Sequence, residues 1–166
     1  MTCEDYKEIS LEYHNLTKQL IRSGITISTM ESCTSGFIAS LITDTEGASS
    51  IFKGSHVTYC NESKIQNGVP KAIIDTYGVY SKETAISMAK ACKEGFGTDI
   101  GIGITGTFGN LDPNNAGSSC GEVFYAIDYN GQNACYSINI PAQNSRLNYK
   151  IAVAAALIKD LKGVIA

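Results

Sequence analysis

The sequence predicts an α/β fold: a single-domain three-layer sandwich in which helices flank a mixed, mostly parallel sheet. Three observations lead to this prediction. Helix-like and strand-like patterns alternate along the chain, Asn130-Gly131 separates two strand-like segments, and 166 residues suffice for one domain with its own core. Asn-Gly is the strongest short signal for a hairpin turn. We therefore assign residues 1–166 to one domain that adds a hairpin to a set of parallel strands.

The first three predicted elements are a helix, a strand and a second helix. Residues 4–23 carry apolar side chains at helical spacing and are followed by Gly24, a frequent helix stop. Residues 25–30 alternate between apolar and polar, which is typical of a strand. The second helix is indicated by apolar residues on one face, namely Phe37, Ile38, Leu41 and Ile42.

A second strand and three more helices are predicted next. Residues 55–59 are strand-like, and Asn61 is a favourable N-cap for a short helix that carries Lys64. Two further helices are delimited by residues that favour helix starts and stops, first Pro70 with Gly78 and then Ser81 with Gly97. The alternation of strands and helices thus continues through the middle of the chain.

A third strand covers residues 100–104 and runs into Thr105 and Gly106. Its glycines spell G-x-G-x-x-G, but they lie within the strand and no helix follows them. We therefore interpret them as leaving room on one face of the sheet, not as a dinucleotide site. A loop over about residues 107–120 follows, rich in Gly, Asn and Ser. Loops of this length inside a domain are usually functional or mobile.

The chain closes with the hairpin and a long helix. The two hairpin strands are predicted at residues 122–129 and 134–140. The helix is predicted from about Ser145 to Lys162 because apolar residues recur there on one face. That face consists of Leu147, Ile151, Ala154, Leu157, Ile158 and Leu161.

The composition argues against several classes of protein. The net charge is −3 and Lys and Arg are not clustered, unlike in nucleic-acid-binding proteins. The six cysteines are scattered without a C-x-x-C pair, so a zinc site is not expected. The acidic start, Met1 to Asp5, lacks the apolar region of a secretory signal, and no apolar run is long enough for a membrane span. We expect a cytoplasmic protein that binds neither nucleic acid nor membrane.

Residues 31–36 read Glu-Ser-Cys-Thr-Ser-Gly and lie where the first strand ends and a helix begins. Free backbone amides and the positive end of the helix dipole can hold an anion at such a place. Ser32 therefore has two interpretations. It is either a nucleophile with oxyanion donors beside it or the N-cap of the helix, which is the commoner role of serine there.

Other reactive side chains follow the ends of the predicted strands. Tyr59 and Lys64 follow the second strand, and Thr105 follows the third. If the strands are parallel neighbours, these groups meet Ser32 in one crevice, because ligands of open α/β sheets collect at the carboxyl ends of strands. A lysine whose pKa is lowered by burial can act as the base for a serine. Tyr59 can relay a proton or hold Lys64, and Thr105 can orient the substrate; the alternatives are an exposed helix lysine and a tyrosine that packs its ring.

The segment Glu31 to Gly36 resembles the E-S-C-T-G-G signature of the CinA C-terminal domain family. The run from Val57 to Lys64 is similar to the V-T-Y-S-N-E-A-K block of the same family. Further blocks match in the order and at the spacing of the family: Gly47-Ala48-Ser49, Phe52, Gly68-Val69, Tyr77-Gly78-Val79, Ser81, Met88-Ala89, Ile104-Thr105-Gly106, Gly121 to Tyr125, and Arg146. On these residues the chain is identified as a member of that family.

The resemblance implies an amidohydrolase that converts nicotinamide mononucleotide into nicotinic acid mononucleotide and ammonia, with no metal and no cofactor. The catalytic residues that it implies are Ser32 as the nucleophile, assisted by Tyr59, Lys64 and Thr105. The substrate-binding positions that it implies are Cys33, Thr34, Gly36, Asn61, Gly106 and Arg146. The amides of Cys33 and Thr34 would receive the oxyanion, and Arg146 would meet the phosphate. The resemblance also implies a homo-oligomer.

This sequence departs from the family pattern in three places. Ser35 stands where the signature has a glycine, and Lys150 stands where the last helix has a second arginine. The loop after Gly106 reads A-G-P and ends in Lys-Pro in the family, whereas residues 107–120 contain neither lysine nor arginine. The predicted catalytic residues are thus unchanged, while the predicted binding loop differs from the family pattern.

Two other functions are consistent with the sequence. One is a non-catalytic ligand-binding or regulatory module, for which Ser32→Ala would leave ligand affinity unchanged. The other is an amidase or esterase for a substrate without phosphate, which is suggested by the absence of lysine and arginine from residues 107–120. Such an enzyme would hydrolyse uncharged nicotinamide compounds at a rate comparable to the nucleotide.

Overall fold

The computed structural model describes residues 3–115 and 117–166, which form an α/β fold. Met1 and Thr2 of the acidic start, and Ala116 of the predicted loop, lie outside the described residues. The elements of the described part are α1 (Cys3–Ser23), β1 (Ile27–Glu31), α2 (Phe37–Thr43), β2 (Phe52–Val57), α3 (Asn61–Gln66), α4 (Lys71–Tyr77), α5 (Lys82–Phe96), β3 (Ile100–Gly106), β4 (Glu122–Tyr129), β5 (Gln132–Asn139) and α6 (Arg146–Ile165). A short 3-10 turn, Ala48–Ser50, precedes β2.

The predicted helices and strands are present with small shifts in their bounds, and two details differ. β2 begins at Phe52 and ends at Val57, so Tyr59 lies after the strand and not within it. The N-cap of α3 is Cys60, whose carbonyl accepts from the Lys64 amide. The predicted N-cap role of Asn61 is therefore wrong, because its side chain donates to the loop residue Asn115 instead.

The five strands form one mixed sheet in the order β2-β1-β3-β4-β5. β1 pairs in parallel with both β2 and β3, and the hairpin strands β4 and β5 add antiparallel pairs at the other end. The hairpin turns at Asn130 and Gly131, whose φ angles of 51° and 75° suit a tight hairpin turn. The mixed sheet is confirmed, with its parallel pairs at the β2 end. The carboxyl ends of β1, β2 and β3 consequently lie at the same edge.

Helices cover both faces of this sheet and complete the predicted three layers. On one face Ile27, Ile102 and Ile127 belong to a core with buried residues of α1, α2 and α6, among them Leu16, Ile38 and Leu157. On the opposite face Met30 packs with residues of α4 and α5, among them Ile74, Met88 and Cys92. Successive side chains of β1 thus point to opposite faces of the sheet, and both faces are buried, although the apolar–polar alternation from which β1 was predicted is more typical of a strand with one exposed face.

α5 lies directly on β3 because two glycines leave space for it. A Cβ atom at Gly101 would meet the Ala89 carbonyl oxygen at 2.1 Å, and one at Gly103 would meet the Ala85 carbonyl oxygen at 2.2 Å. Both distances are far below a contact distance, so only glycine permits this approach. The predicted role of these glycines, room on one sheet face, is confirmed.

The predicted apolar face of α6 is correct except at its first turn. Ile151, Ala154, Leu157, Ile158 and Leu161 are buried, whereas Leu147 is 51% exposed. Tyr149, whose ring stacks on Phe108, occupies the buried side of that turn instead. Among the described helices, none combines the length and the apolar character that a membrane crossing requires.

We expect Gly103→Ala to lower the free energy of unfolding by roughly 3 kcal/mol, because the new methyl group overlaps the backbone of α5 and the two layers must separate to admit it. The measurement is urea-induced unfolding at equilibrium. Gly95→Ala is the matched control, since it adds the same methyl group to α5 where no atom lies within 4 Å. The control should be neutral or stabilising by about 0.5–1 kcal/mol; equal losses in both variants would contradict the packing argument.

Candidate active site

The turn between β1 and α2 is held together by the carboxylate of Glu31, which is fully buried. Its Oε2 accepts hydrogen bonds from the amides of Gly36 at 3.0 Å and Ile38 at 3.2 Å. Its Oε1 accepts from the Ala39 amide at 2.9 Å and from the Thr29 hydroxyl at 3.3 Å. Glu31 thus satisfies amides that the start of a helix leaves without partners, and it places a negative charge at the positive end of the helix.

The position of Glu31 changes two of the sequence-based interpretations. α2 is capped by Gly36 with no side-chain cap, so the interpretation of Ser32 as the N-cap is wrong. The helix N-terminus is already occupied by the Glu31 carboxylate and is not an open anion site. The amide of Gly36 donates to Glu31 and is not free to donate to a substrate, so the substrate-binding role that the resemblance implies for Gly36 stays a prediction. The amides of Cys33 and Thr34 are not among those that Glu31 binds.

Ser32 lies immediately after β1 and is 5% exposed. Its amide donates to the Ile104 carbonyl of β3 at 3.0 Å, and its carbonyl accepts from the Ser35 amide at 3.1 Å. The turn then passes through Ser35 with a φ of 57°, a left-handed conformation that glycine adopts with less strain. This backbone conformation explains why a glycine suits the position of Ser35. The two backbone hydrogen bonds of Ser32 hold it between the sheet and the turn.

Lys64 of α3 brings its amino group onto Ser32. Its Nζ donates to Ser32 Oγ at 2.9 Å and to the Thr58 carbonyl oxygen at 2.7 Å. The side chain is 1% exposed, and this burial lowers the pKa of Lys64 to about 8. The neutral amine is therefore a minor form at pH 7, but it is far more populated than in an ordinary lysine. The alternative interpretation of Lys64 as an exposed helix lysine is wrong.

Cys33, the residue next to Ser32, is a poor nucleophile in this setting. Its side chain is 4% exposed, and burial raises the pKa of the thiol to about 12. The thiolate is the reactive form of cysteine, and at neutral pH this group stays protonated. The hydroxyl of Ser32, with an amine at hydrogen-bond distance, is the better candidate for nucleophile.

A cavity of about 610 Å³ opens at the edge of the sheet where β1, β2 and β3 end. Ser32 and Lys64 line it together with Tyr59 and Arg146, and half of the other lining residues belong to the loop between β3 and β4. The volume is in the range of small-molecule sites. Three further predicted positions, Cys33, Asn61 and Gly106, also line the cavity.

Tyr59 and Arg146 form one wall of this cavity. The Arg146 guanidinium donates to the Tyr59 hydroxyl at 3.1 Å and lies over the ring of Phe108, 5.1 Å from its centroid. The Phe108 ring in turn stacks on Tyr149 at 5.0 Å. Tyr59 is 62% exposed and its hydroxyl bonds to Arg146, so the structure does not place it on Lys64. A proton relay from Lys64 through Tyr59 has no support in this geometry.

Thr105 and Thr34 are not among the residues that line the cavity. The Thr105 hydroxyl is fully buried and donates to the Val79 carbonyl at 2.9 Å, because its side chain shares the face of β3 that Gly103 presents to α5. The predicted substrate-orienting role of Thr105 is therefore not supported. Thr34 is fully buried as well, and its predicted binding role stays a prediction.

Asp112 is a cavity residue that the sequence alone did not single out. Its Oδ2 accepts from the Tyr80 hydroxyl and from Asn115 Nδ2, each at 2.6 Å, and its Oδ1 accepts from the Asn114 amide at 2.9 Å. The hydrogen bond from Tyr80 is the main reason why the pKa of the Asp112 carboxyl lies below its ordinary value. The length of the loop indicated a functional segment, but no local pattern indicated that this carboxylate faces the cavity.

A comparison with protein-family models matches residues 11–162 to the CinA C-terminal domain. Among curated proteins, a CinA-like protein of Kosmotoga olearia is 35% identical over 137 residues, which cover 82% of this chain and 33% of the relative. A putative competence-damage inducible protein of Desulforudis audaxviator is 37% identical over 123 residues, which cover 74% of this chain and 30% of the relative. The chain spans about a third of the length of these relatives.

Solved structures of the CinA superfamily share the fold. A member from Escherichia coli superposes with a TM-score of 0.86 at 23% identity and covers 99% of this chain and 93% of its own. The competence/damage inducible protein CihA of Agrobacterium tumefaciens superposes with the same TM-score at 24% identity and covers 95% and 96%. These structures support the arrangement of the sheet and of the helices on both of its faces.

We expect Glu31→Gln to lower the free energy of unfolding by about 1–3 kcal/mol. Glutamine has an NH2 group in place of one carboxylate oxygen, and this donor would face backbone amides that are themselves donors. The measurement is urea-induced unfolding at neutral pH. Glu46→Gln is the matched control because it removes the same charge from an exposed side chain. A loss no larger than that of the control would show that Glu31 does not hold the turn.

Proposed function

The chain belongs to the CinA C-terminal domain family, and on that premise we propose that it is an amidohydrolase acting on nicotinamide mononucleotide or a related nicotinamide compound. The products are the corresponding acid and ammonia. The observation that carries the proposal is the 2.9 Å contact between Lys64 Nζ and Ser32 Oγ at the wall of the cavity. A serine beside a buried amine is a nucleophile beside its base.

In the first half of the reaction, neutral Lys64 accepts the proton of the Ser32 hydroxyl while Ser32 Oγ bonds to the carboxamide carbon. The Thr58 carbonyl, 2.7 Å from Nζ, accepts one N–H of the amine and directs its lone pair toward Ser32. The carbonyl oxygen of the substrate gains negative charge in this step. The backbone amides of Cys33 and Thr34 are the candidate donors for that oxyanion.

In the second half of the reaction, protonated Lys64 gives its proton to the amide nitrogen, the C–N bond breaks and ammonia leaves. An acyl ester on Ser32 remains. Water then attacks the acyl carbon as Lys64 takes a proton from it, and the acid is released when this proton returns to Ser32 Oγ. The cycle balances without an oxidant or a metal, and a single amine serves as both base and acid.

Tyr59, Arg146 and Phe108 bind substrate in this proposal and take no part in the proton transfers. The exposed ring of Tyr59 and the ring of Phe108 offer apolar surface to an aromatic ring, while Arg146 offers charge and hydrogen-bond donors at the mouth of the cavity. The polar group of the substrate that reaches Arg146 would compete with the Tyr59 hydroxyl for the guanidinium.

We expect the purified protein to release ammonia from nicotinamide mononucleotide, and we expect Ser32→Ala and Lys64→Ala to abolish most of this turnover. The loss should be about 1000-fold or more without the nucleophile and about 100-fold or more without the base. The measurement is a coupled ammonia assay with matched protein concentrations. Lys90→Ala, on the exposed surface of α5, is the control for loss of a lysine. Turnover that survives in Ser32→Ala would remove Ser32 as the nucleophile.

The value of kcat/KM should rise with pH and level off above a midpoint near 8, because the base is the neutral form of Lys64 and the neutral fraction grows as the pH passes its lowered pKa. The measurement is kcat/KM over a pH series, with the unfolding midpoint followed over the same series so that loss of fold is recognised. A midpoint near the ordinary lysine value, or a rate that falls with rising pH in this range, would contradict the role of Lys64.

A further inference from the structure

Asp112 presents a carboxylate to the same cavity as Ser32 and Lys64. It is only partly exposed, and three donors fix it: the Tyr80 hydroxyl, the Asn114 amide and the Asn115 side chain. A carboxylate has about four acceptor positions, so roughly one remains for a ligand. The group is therefore a fixed negative charge and an available acceptor, not a side chain that turns away into solvent.

The charged side chains of the cavity lining are Lys64, Arg146, Asp112 and Glu62. In the proposed reaction Lys64 must be neutral when the substrate is attacked. In that state one guanidinium faces two carboxylates and the lining carries a net negative charge; while Lys64 is protonated, the two cations and the two carboxylates cancel, and the lining offers no excess positive charge to a phosphate. Glu62 is exposed and screened by solvent, whereas Asp112 is partly buried and its field acts more strongly inside the cavity.

The rest of the loop does not offset this charge. Residues 107–121 contain neither lysine nor arginine, so Arg146 is the cation of the described lining that can meet a phosphate. Its guanidinium already donates to the Tyr59 hydroxyl. A phosphate dianion would therefore meet one partly engaged guanidinium and the repulsion of Asp112, while a positively charged pyridinium ring would be attracted by Asp112.

We propose that Asp112 makes the site select nicotinamide compounds that carry the cationic ring and lack the phosphate, so that the nucleoside is a better substrate than the nucleotide. The inference rests on the proposed amidohydrolase function and names its substrate class. The nucleoside, nicotinamide riboside, has a net charge of +1, whereas the nucleotide with its phosphate fully ionised has −1. The ribose hydroxyls of the nucleoside can donate a hydrogen bond to the acceptor position that remains on Asp112.

The test compares kcat/KM for the nucleoside and the nucleotide in the parent and in Asp112→Asn. We expect the parent to favour the nucleoside by about fivefold or more, and the variant to reduce that ratio by about fivefold, since one charge inside a partly desolvated cavity has been removed. Tyr80→Phe is the matched control, because it removes a hydrogen bond to Asp112 and keeps the charge. Its ratio should stay near that of the parent.

Ionic strength provides a test that needs no variant at Asp112. Added salt should lower the preference of the parent for the nucleoside, because screening weakens both the attraction of the ring and the repulsion of the phosphate. A parent that favours the nucleotide, or a ratio that Asp112→Asn and salt leave unchanged, would overturn the inference. The same change in Tyr80→Phe as in Asp112→Asn would overturn it too, since loop position and not charge would then set selectivity.

Binding to Ser32→Ala separates this inference from the proposed function. The variant keeps the cavity and its charges, and calorimetric titration with each compound measures selectivity without turnover. Tighter binding of the nucleoside, weakened by adding Asp112→Asn, supports the inference even if neither compound is hydrolysed by the parent. Turnover of both compounds with tighter binding of the nucleotide refutes the inference and leaves the amidohydrolase function standing.

Discussion

The site depends on one buried interaction, the hydrogen bonding of the Glu31 carboxylate to the amides at the start of α2. A carboxylate in the protein interior is costly unless donors surround it, and the first turn of a helix supplies such donors in a fixed arrangement. The interaction ties the end of β1 to α2 across a turn that contains Ser32. Because Glu31 uses the positive end of the helix, the proposed reaction has to rely on Lys64 and on the turn itself to activate Ser32 and to stabilise an oxyanion.

The proposed role of Lys64 as a base depends on the kind of acceptor that its Nζ meets. Its Nζ bonds to a hydroxyl and a carbonyl, and among the described residues no carboxylate forms an ion pair with it. Lys93, by contrast, has a carboxylate oxygen of Asp128 at 2.5 Å. Neutral acceptors stabilise an ammonium less than a carboxylate does, so for Lys64 the cost of burial dominates and the neutral amine is favoured. Lys64 is thus a candidate base because it is buried beside neutral acceptors and not beside a carboxylate.

Much of the fold followed from local patterns, whereas the site followed from them only in part. Period-two and helical spacing predicted the elements, and the order of strand ends predicted that Ser32 and Lys64 would meet. The side chain of Thr105 was misjudged because its direction depends on which face of β3 it occupies, and this is set by the packing of α5. Leu147 was misjudged because Tyr149 stacks on a loop residue. Asp112 could not be foreseen, since its direction depends on hydrogen bonds to Tyr80 and Asn115, which a loop sequence does not specify.

The Ser32–Lys64 pair and the loop that carries Asp112 tolerate different errors in atomic position. In the proposed function, the loop can therefore change without disturbing the pair. Proton transfer between Ser32 and Lys64 needs atoms held to within about 0.5 Å, and both residues are positioned by the sheet edge and by buried hydrogen bonds. Selection of substrate charge acts over several ångströms and falls slowly with distance, so a loop held by surface hydrogen bonds is sufficient for it. In the proposed function, a loop that contains neither lysine nor arginine and carries Asp112 would change which substrate is favoured, while Ser32 and Lys64 stay where the core holds them.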